Sequence, residues 1–178
     1  MKHVILDRDG VINEDSPDFI KSVAEFKPIP GSLEAIARLS QAGFRGFVVS
    51  NQSGIGRGLL SYDALFAIHD KLQRDVTALG GRIDGIMFAP DHPDAVSDRR
   101  KPAPGMFRDL ARRLQVSLEG VPAVGDSWRD LQAAQAAGAR PILVRSGNGR
   151  RTEKEQKLGK IAVFDDLAAV ASELIGGG

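Results

Sequence analysis

Short apolar runs alternate with amphipathic stretches along the whole chain. The runs are Val4 to Leu6, Phe44 to Val49, Ile83 to Phe88, Val121 to Val124, Pro141 to Val144 and Ile161 to Phe164. Apolar runs this short, bounded by turn signals, read as buried strands. Between the second and third, Leu65, Ile68, Leu72, Val76 and Leu79 keep the spacing of one helix face behind Ser61, a start signal. Shorter helical faces follow the same theme: Leu33, Ile36 and Leu39; Met106, Leu110 and Leu114; Leu131 and Ala134; Leu167, Val170 and Leu174. Strands alternating with helices predict an α/β fold, a mainly parallel sheet covered by helices on both faces. Ligands of such sheets bind beyond the carboxyl ends of the strands. The residues just after each run are therefore the candidates for chemistry.

Residues 11 to 31 and 89 to 105 break the alternation, being too polar or too rich in Pro and Gly for regular elements. Each follows a strand end, so both are expected to overhang the site, and neither is long enough for a separate cap domain. Residues 145 to 160 are basic but interrupted by Glu153 and Glu155, and read as a solvated loop; Gly176 to Gly178 read as a frayed tail. With 178 residues, the expectation is a single domain over 1–178.

Composition narrows the chemistry. The 24 basic and 23 acidic residues nearly cancel, leaving no global field for nucleic acid or an anionic membrane. No apolar stretch approaches bilayer-spanning length, so a soluble cytoplasmic protein is expected, monomeric because no interface stripe stands out. The chain has no cysteine, so any metal must be held by oxygen or imidazole. His3, His69 and His92 are scattered without metal-ligand spacing, and the Gly54-x-Gly56-x-Gly58 pattern lacks dinucleotide-binding spacing.

The first strand runs into Asp7-Arg8-Asp9-Gly10, two carboxylates at the ligand edge followed by a glycine for a sharp turn. The fourth ends in Gly125-Asp126, with Asp130 four residues on. Carboxylates converging without sulfur suit a hard cation such as magnesium. Helix capping and dipole complementarity would also account for Asp126 and Asp130. The second strand ends in Ser50-Asn51-Gln52-Ser53-Gly54, where a hydroxyl and exposed amides suit phosphate, although turn chemistry alone favours the same residues. Lys101, before a helix, could neutralise a phosphoryl group in transfer.

Aspartate pair, hydroxyl, lysine and aspartate, in that chain order at one sheet edge, resemble the four motifs of the haloacid dehalogenase superfamily: Asp7/Asp9, Ser50, Lys101 and Asp126/Asp130. The resemblance implies a Rossmann-like fold and hydrolysis of phosphomonoesters through an aspartyl phosphate. Asp7 is the implied nucleophile, Asp9 the acid and base, Ser50 a ligand of a phosphoryl oxygen and Lys101 the charge-neutralising group. Magnesium is the implied cofactor, held by Asp7, the Asp9 backbone carbonyl and Asp126, with Asp130 supporting from behind.

Within that superfamily, Asp7 to Gly10, Asn51 to Gly58 and Arg100 to Met106 resemble the D-glycero-D-manno-heptose 1,7-bisphosphate 7-phosphatases. The histidinol-phosphate phosphatases share much of this, and Ser53 with Arg57-Gly58 favours the heptose group. The resemblance implies a phosphorylated sugar as partner, in the supply of ADP-heptose for lipopolysaccharide core, with Asp15, Asn51, Gln52, Ser53, Arg57 and Arg100 contacting it. Arginine forks at Arg57 and Arg100 would anchor a remote phosphate. Relatives carry zinc on three cysteines and a histidine where this chain has Ala89, Asp91, Ser97 and Arg99, so no zinc is expected and local hydrogen bonds must order the loop. A lysine frequent after the last-motif aspartate is replaced here by Ser127. Rival readings are a phospho-aspartate receiver domain, whose reactive aspartate would follow a middle strand, and a silent binding module, which would have lost one of the four motifs.

Overall fold

The computed structural model describes residues 2–177. The elements run β1 (Lys2–Leu6), α1 (Ser32–Gln41), β2 (Phe44–Asn51), α2 (Tyr62–Ala78), β3 (Gly85–Ala89), α3 (Gly105–Leu114), β4 (Pro122–Gly125), α4 (Trp128–Ala136), β5 (Arg140–Val144), α5 (Gly149–Glu155), β6 (Ala162–Phe164) and α6 (Leu167–Gly176). All strand pairs are parallel, in the order β3-β2-β1-β4-β5-β6. The chain steps outward from β1 to β3, returns to β4 on the other side of β1, and steps outward again. β1 and β4 thus flank the switch point, the crevice where open α/β sheets bind ligands. Their register pairs Ile5 with Ala123 and Leu6 with Val124.

Side chains alternate across this sheet as the strand period requires. Val4, Leu6, Val48 and Val124 face one layer, where Ile36 and Leu39 of α1, Ile68 and Leu72 of α2 and Val170 of α6 complete the core. Ile5, Phe47, Val49 and Ala123 face the other, against Met106 and Leu110 of α3 and Ala133 and Ala134 of α4. Ser61 caps α2 as expected, its side chain accepting from the Ala64 amide.

Four expectations need correction. Residues 145–160 are not a continuous solvated loop, because α5 forms there with Gly149 and Thr152 buried. β3 starts later than its apolar run, since the Asp84 carboxylate turns back to accept from the Gly46 amide and Arg45. Leu79 is the exposed C-cap of α2 and leaves the buried face to His69. Gly176 is the last helical residue of α6 rather than part of a frayed tail, and Gly178 lies outside the described residues. The 11–31 segment is irregular as expected, apart from a single 3-10 turn at Val23–Glu25.

Candidate active site

The Asp7 amide donates to the Val124 carbonyl at 2.9 Å, extending the β1–β4 pairing past the last strand residue. That bond fixes the first predicted carboxylate beside Asp126, which follows β4. Lys101 enters from the 89–105 loop with its ammonium almost fully buried. It donates to Asp7 Oδ1 at 3.0 Å and the Val49 carbonyl at 2.9 Å, and lies 2.6 Å from Asp130 Oδ1. Asn51 at the end of β2 holds this loop in place: its amide accepts from the Lys101 N–H at 2.9 Å and donates to the Lys101 carbonyl at 3.0 Å.

Asp130 is saturated. Besides Lys101, its Oδ2 accepts from the Ser127 amide, the Ser127 hydroxyl and the Asp126 amide, so capping and charge pairing meet in one residue. Burial alone would raise its pKa, but Lys101 and the Ser127 donors outweigh burial and hold it low. Burial likewise disfavours the Lys101 ammonium, while Asp130 and Asp7 hold its pKa above the ordinary value. Asp7 and Asp126 are pushed the other way, upward, first by burial and then by neighbouring carboxylates.

Ligand oxygens of Asp7, Asp126 and Asp130 lie within 4.8 Å of one another. Asp126 Oδ2 accepts from the Asn148 amide at 2.7 Å and more weakly from the Asn148 side chain. Among the described residues, Asp7 Oδ2, Asp126 Oδ1 and the Asp9 carbonyl receive no hydrogen bond. Three free hard oxygens around an under-neutralised pair of buried carboxylates fit a magnesium ion. The backbone is shaped to this cluster: Gly10 and Gly147 both have positive φ, and a Cβ on either would collide with the Asp126 carboxylate.

The Asp9 carboxylate is engaged elsewhere. Its Oδ1 accepts from Arg8 Nε (3.0 Å), Arg8 Nη2 (2.8 Å) and Asn13 Nδ2 (2.9 Å), and its Oδ2 from Gln52 Nε2 (3.0 Å). Gln52 Nε2 also donates to Ser50 Oγ at 2.9 Å.

A cavity of about 270 Å³ opens over these groups. Asp7, Asp9, Asp15, Asn51, Gln52, Ser53, Arg57, Arg100, Lys101, Asp126 and Asp130 all line it. Ser50 does not; it is 1% exposed beneath the wall, its hydroxyl held by Gln52. Asn51 and Gln52, expected to face substrate, commit their amides to Lys101 and to the Asp9 network. Asp15 bonds Asn148 Nδ2 at 2.9 Å and so ties the 11–31 loop to the turn before α5. In the 89–105 loop, Ser97 Oγ donates to Asp91 and accepts from the Arg99 and Arg100 amides. The two polar side chains Asp91 and Ser97 are thus bonded to each other and help order the loop.

Sequence reasoning did not anticipate Asn148, Arg129 or Phe19, which also line the cavity. Arg129 sits two residues beyond Ser127 and brings a cation to the cavity wall. Arg57, Arg100 and Arg129 form a cationic rim. Burial and then the charges of Arg129 and Arg57 lower the Arg100 pKa, and Arg100 Nη1 is buried without a partner. Arg57 lies over the Phe19 ring, 5.7 Å from its centroid.

A parallel sheet whose switch point gathers a paired aspartate, a buried lysine and a later aspartate defines a hydrolase of the haloacid dehalogenase class, and residues 98–170 match the HAD-hydrolase-like family. The D-glycero-beta-D-manno-heptose-1,7-bisphosphate 7-phosphatase of Bordetella bronchiseptica is 53% identical over 98% of both chains. The Pseudomonas putida enzyme of the same name is 51% identical over 98% of this chain and all of its own. A crystal structure of the B. bronchiseptica D,D-heptose 1,7-bisphosphate phosphatase, complexed with magnesium and phosphate, superposes with a TM-score of 0.98 at 52% identity, covering 100% of both chains. The chain belongs to the D-glycero-beta-D-manno-heptose-1,7-bisphosphate 7-phosphatase family.

Proposed function

We propose that this protein hydrolyses the C7 phosphate of D-glycero-β-D-manno-heptose 1,7-bisphosphate and leaves the C1 phosphate in place. The observation that carries the reading is full-length identity of 53% to a phosphatase of that name. The gathering of Asp7, Asp9, Lys101 and Asp126 on one cavity wall supports it.

Asp7 attacks phosphorus in line and forms an aspartyl phosphate, splitting one displacement into two easier ones. Asp9 gives its proton to the departing C7 oxygen, then takes one from the water that attacks the intermediate, releasing inorganic phosphate and free Asp7. Lys101 keeps Asp7 Oδ1 fixed and supplies positive charge beside the transferring group. Ser50 steadies Gln52, and with it the Asp9 rotamer, from beneath the wall. Magnesium, held by Asp7, Asp126 and the Asp9 carbonyl, supplies charge neutralisation between anionic nucleophile and anionic ester when bound. Asp130 positions Lys101 and the turn that presents Asp126.

The rim of Arg57, Arg100 and Arg129 holds the second phosphate, with Arg100 Nη1 as a donor not yet committed to a protein partner. Among the described residues no helix is long and apolar enough to cross a membrane, in keeping with a cytoplasmic step supplying ADP-heptose for lipopolysaccharide. Phosphorus NMR of the product tests the reading: the C1 phosphate signal should persist while the C7 signal is replaced by inorganic phosphate. Loss of the C1 signal instead would overturn the regiochemistry.

A further inference from the structure

Arg8 stands between the two motif aspartates, yet it is 0% exposed. Burying a guanidinium costs several kcal/mol unless its donors are met, and here each of its three nitrogens has a partner. Nε and Nη2 grip Asp9 Oδ1, Nη2 also reaches Gln52 Oε1 at 3.3 Å, and Nη1 lies 3.2 Å from His69 Nε2. His69 comes from the buried face of α2, 7% exposed, with its ring 6.0 Å from that of Phe88.

We propose that Arg8 and His69 are a positioning pair for proton transfer by Asp9, with His69 acting as the neutral acceptor that locks the Arg8 fork. A guanidinium has only donors, so His69 Nε2 must accept and its proton must sit on Nδ1. Burial and the Arg8 charge, which pull the His69 pKa down to about 4, keep that tautomer neutral.

The lock has two consequences for Asp9. Oδ1 receives three donors, two from Arg8 and one from Asn13, whereas Oδ2 receives a single amide from Gln52. The transferable proton therefore belongs on Oδ2. Arg8 also sets which way Gln52 faces, because Gln52 Oε1 must meet the guanidinium, leaving Nε2 for Asp9 and Ser50. Without His69, Arg8 Nη1 loses its acceptor, and the fork that fixes both neighbours loosens.

This inference rests on the phosphatase reading, and leaving-group chemistry separates the two. The C7 alkoxide needs a proton to depart, while p-nitrophenolate leaves without one. Single-turnover cleavage is measured for wild type, His69→Leu and His69→Gln with the heptose bisphosphate and with p-nitrophenyl phosphate. General acid catalysis is worth roughly 10²–10⁴-fold, so partial misplacement of Asp9 in His69→Leu should slow the sugar substrate about 10- to 100-fold with KM unchanged. The aryl phosphate should slow less than about 3-fold, and His69→Gln, which restores an acceptor, should return the sugar rate to within about 3-fold of wild type. The ratio of the two substrates within one variant does not depend on how much of it is folded. An unchanged ratio in His69→Leu overturns the inference alone. A wild type that cleaves neither substrate overturns the phosphatase reading and the inference with it.

Discussion

Lys101 Nζ lies 2.6 Å from Asp130 Oδ1 and 3.0 Å from Asp7 Oδ1, so one buried ammonium joins a helix-capping carboxylate to the first aspartate of the pair after β1. The side chains of Lys101 and Asp130 are only 3% and 8% exposed. Removing one partner of a buried pair leaves the other charge uncompensated, at a cost of about 3–5 kcal/mol. Lys101→Met should therefore lower the urea unfolding free energy by about that amount and abolish turnover. A variant that keeps wild-type stability would show that Asp130 and Asp7 do not depend on this cation.

The carboxylate cluster should repel itself when no metal is bound. Burial and the charges of Asp130 and Asp7 disfavour ionised Asp126. In a chelator, Asp126→Asn should unfold a few degrees above wild type. Ligand at a hundred times its Kd stabilises by about 2.7 kcal/mol, or roughly 5–10 °C in a chain of this size. Saturating magnesium should shift wild type by that much and leave Asp126→Asn unmoved; equal shifts would remove Asp126 from the metal site.

Much of this cluster was legible because β1, β2 and β4 are apolar runs with abrupt polar ends, so the residues after them fall on the ligand edge. α5 was not legible, since its sequence Gly149-Arg-Arg-Thr-Glu-Lys-Glu has no apolar period. It is held instead by a tertiary bond, Thr152 Oγ1 to the Asp126 carbonyl at 2.8 Å. The burial of Arg8 was equally hidden, because a charged residue between two aspartates reads as solvated until the elements supplying its partners are placed. His69 did carry a signal: it lies four residues after Leu65 and three before Leu72, on the stripe that α2 buries.

The depressed His69 pKa makes stability acid-sensitive in a defined window. The unfolded chain takes up a proton near the ordinary value of 6.5, whereas the folded chain resists until about 4. Between those values the unfolded state binds more protons, so stability falls as pH falls. Relative to His69→Gln, wild type should lose about 2 kcal/mol between pH 7 and pH 5. Parallel pH dependences of the two proteins would contradict a neutral buried His69.

The arginine rim should act on binding rather than chemistry. A hydrogen bond to a charged group is worth about 1.5–3 kcal/mol, so Arg100→Ala and Arg129→Ala should each raise KM for the bisphosphate roughly 10-fold or more, with kcat little changed. Neither should alter KM for p-nitrophenyl phosphate, which has no second phosphate. Equal effects on both substrates would place these arginines at the transferring group.

Phosphoryl transfer from a heptose bisphosphate to Asp7 is the reaction proposed for this site. Its most direct test is phosphate release from D-glycero-β-D-manno-heptose 1,7-bisphosphate, with and without magnesium, by wild type and Asp7→Asn, with histidinol phosphate as the competing substrate. Wild type alone should release phosphate, only with magnesium, and with a higher kcat/KM for the sugar than for histidinol phosphate. Release that persists in Asp7→Asn, or that favours histidinol phosphate, would contradict the proposed reaction.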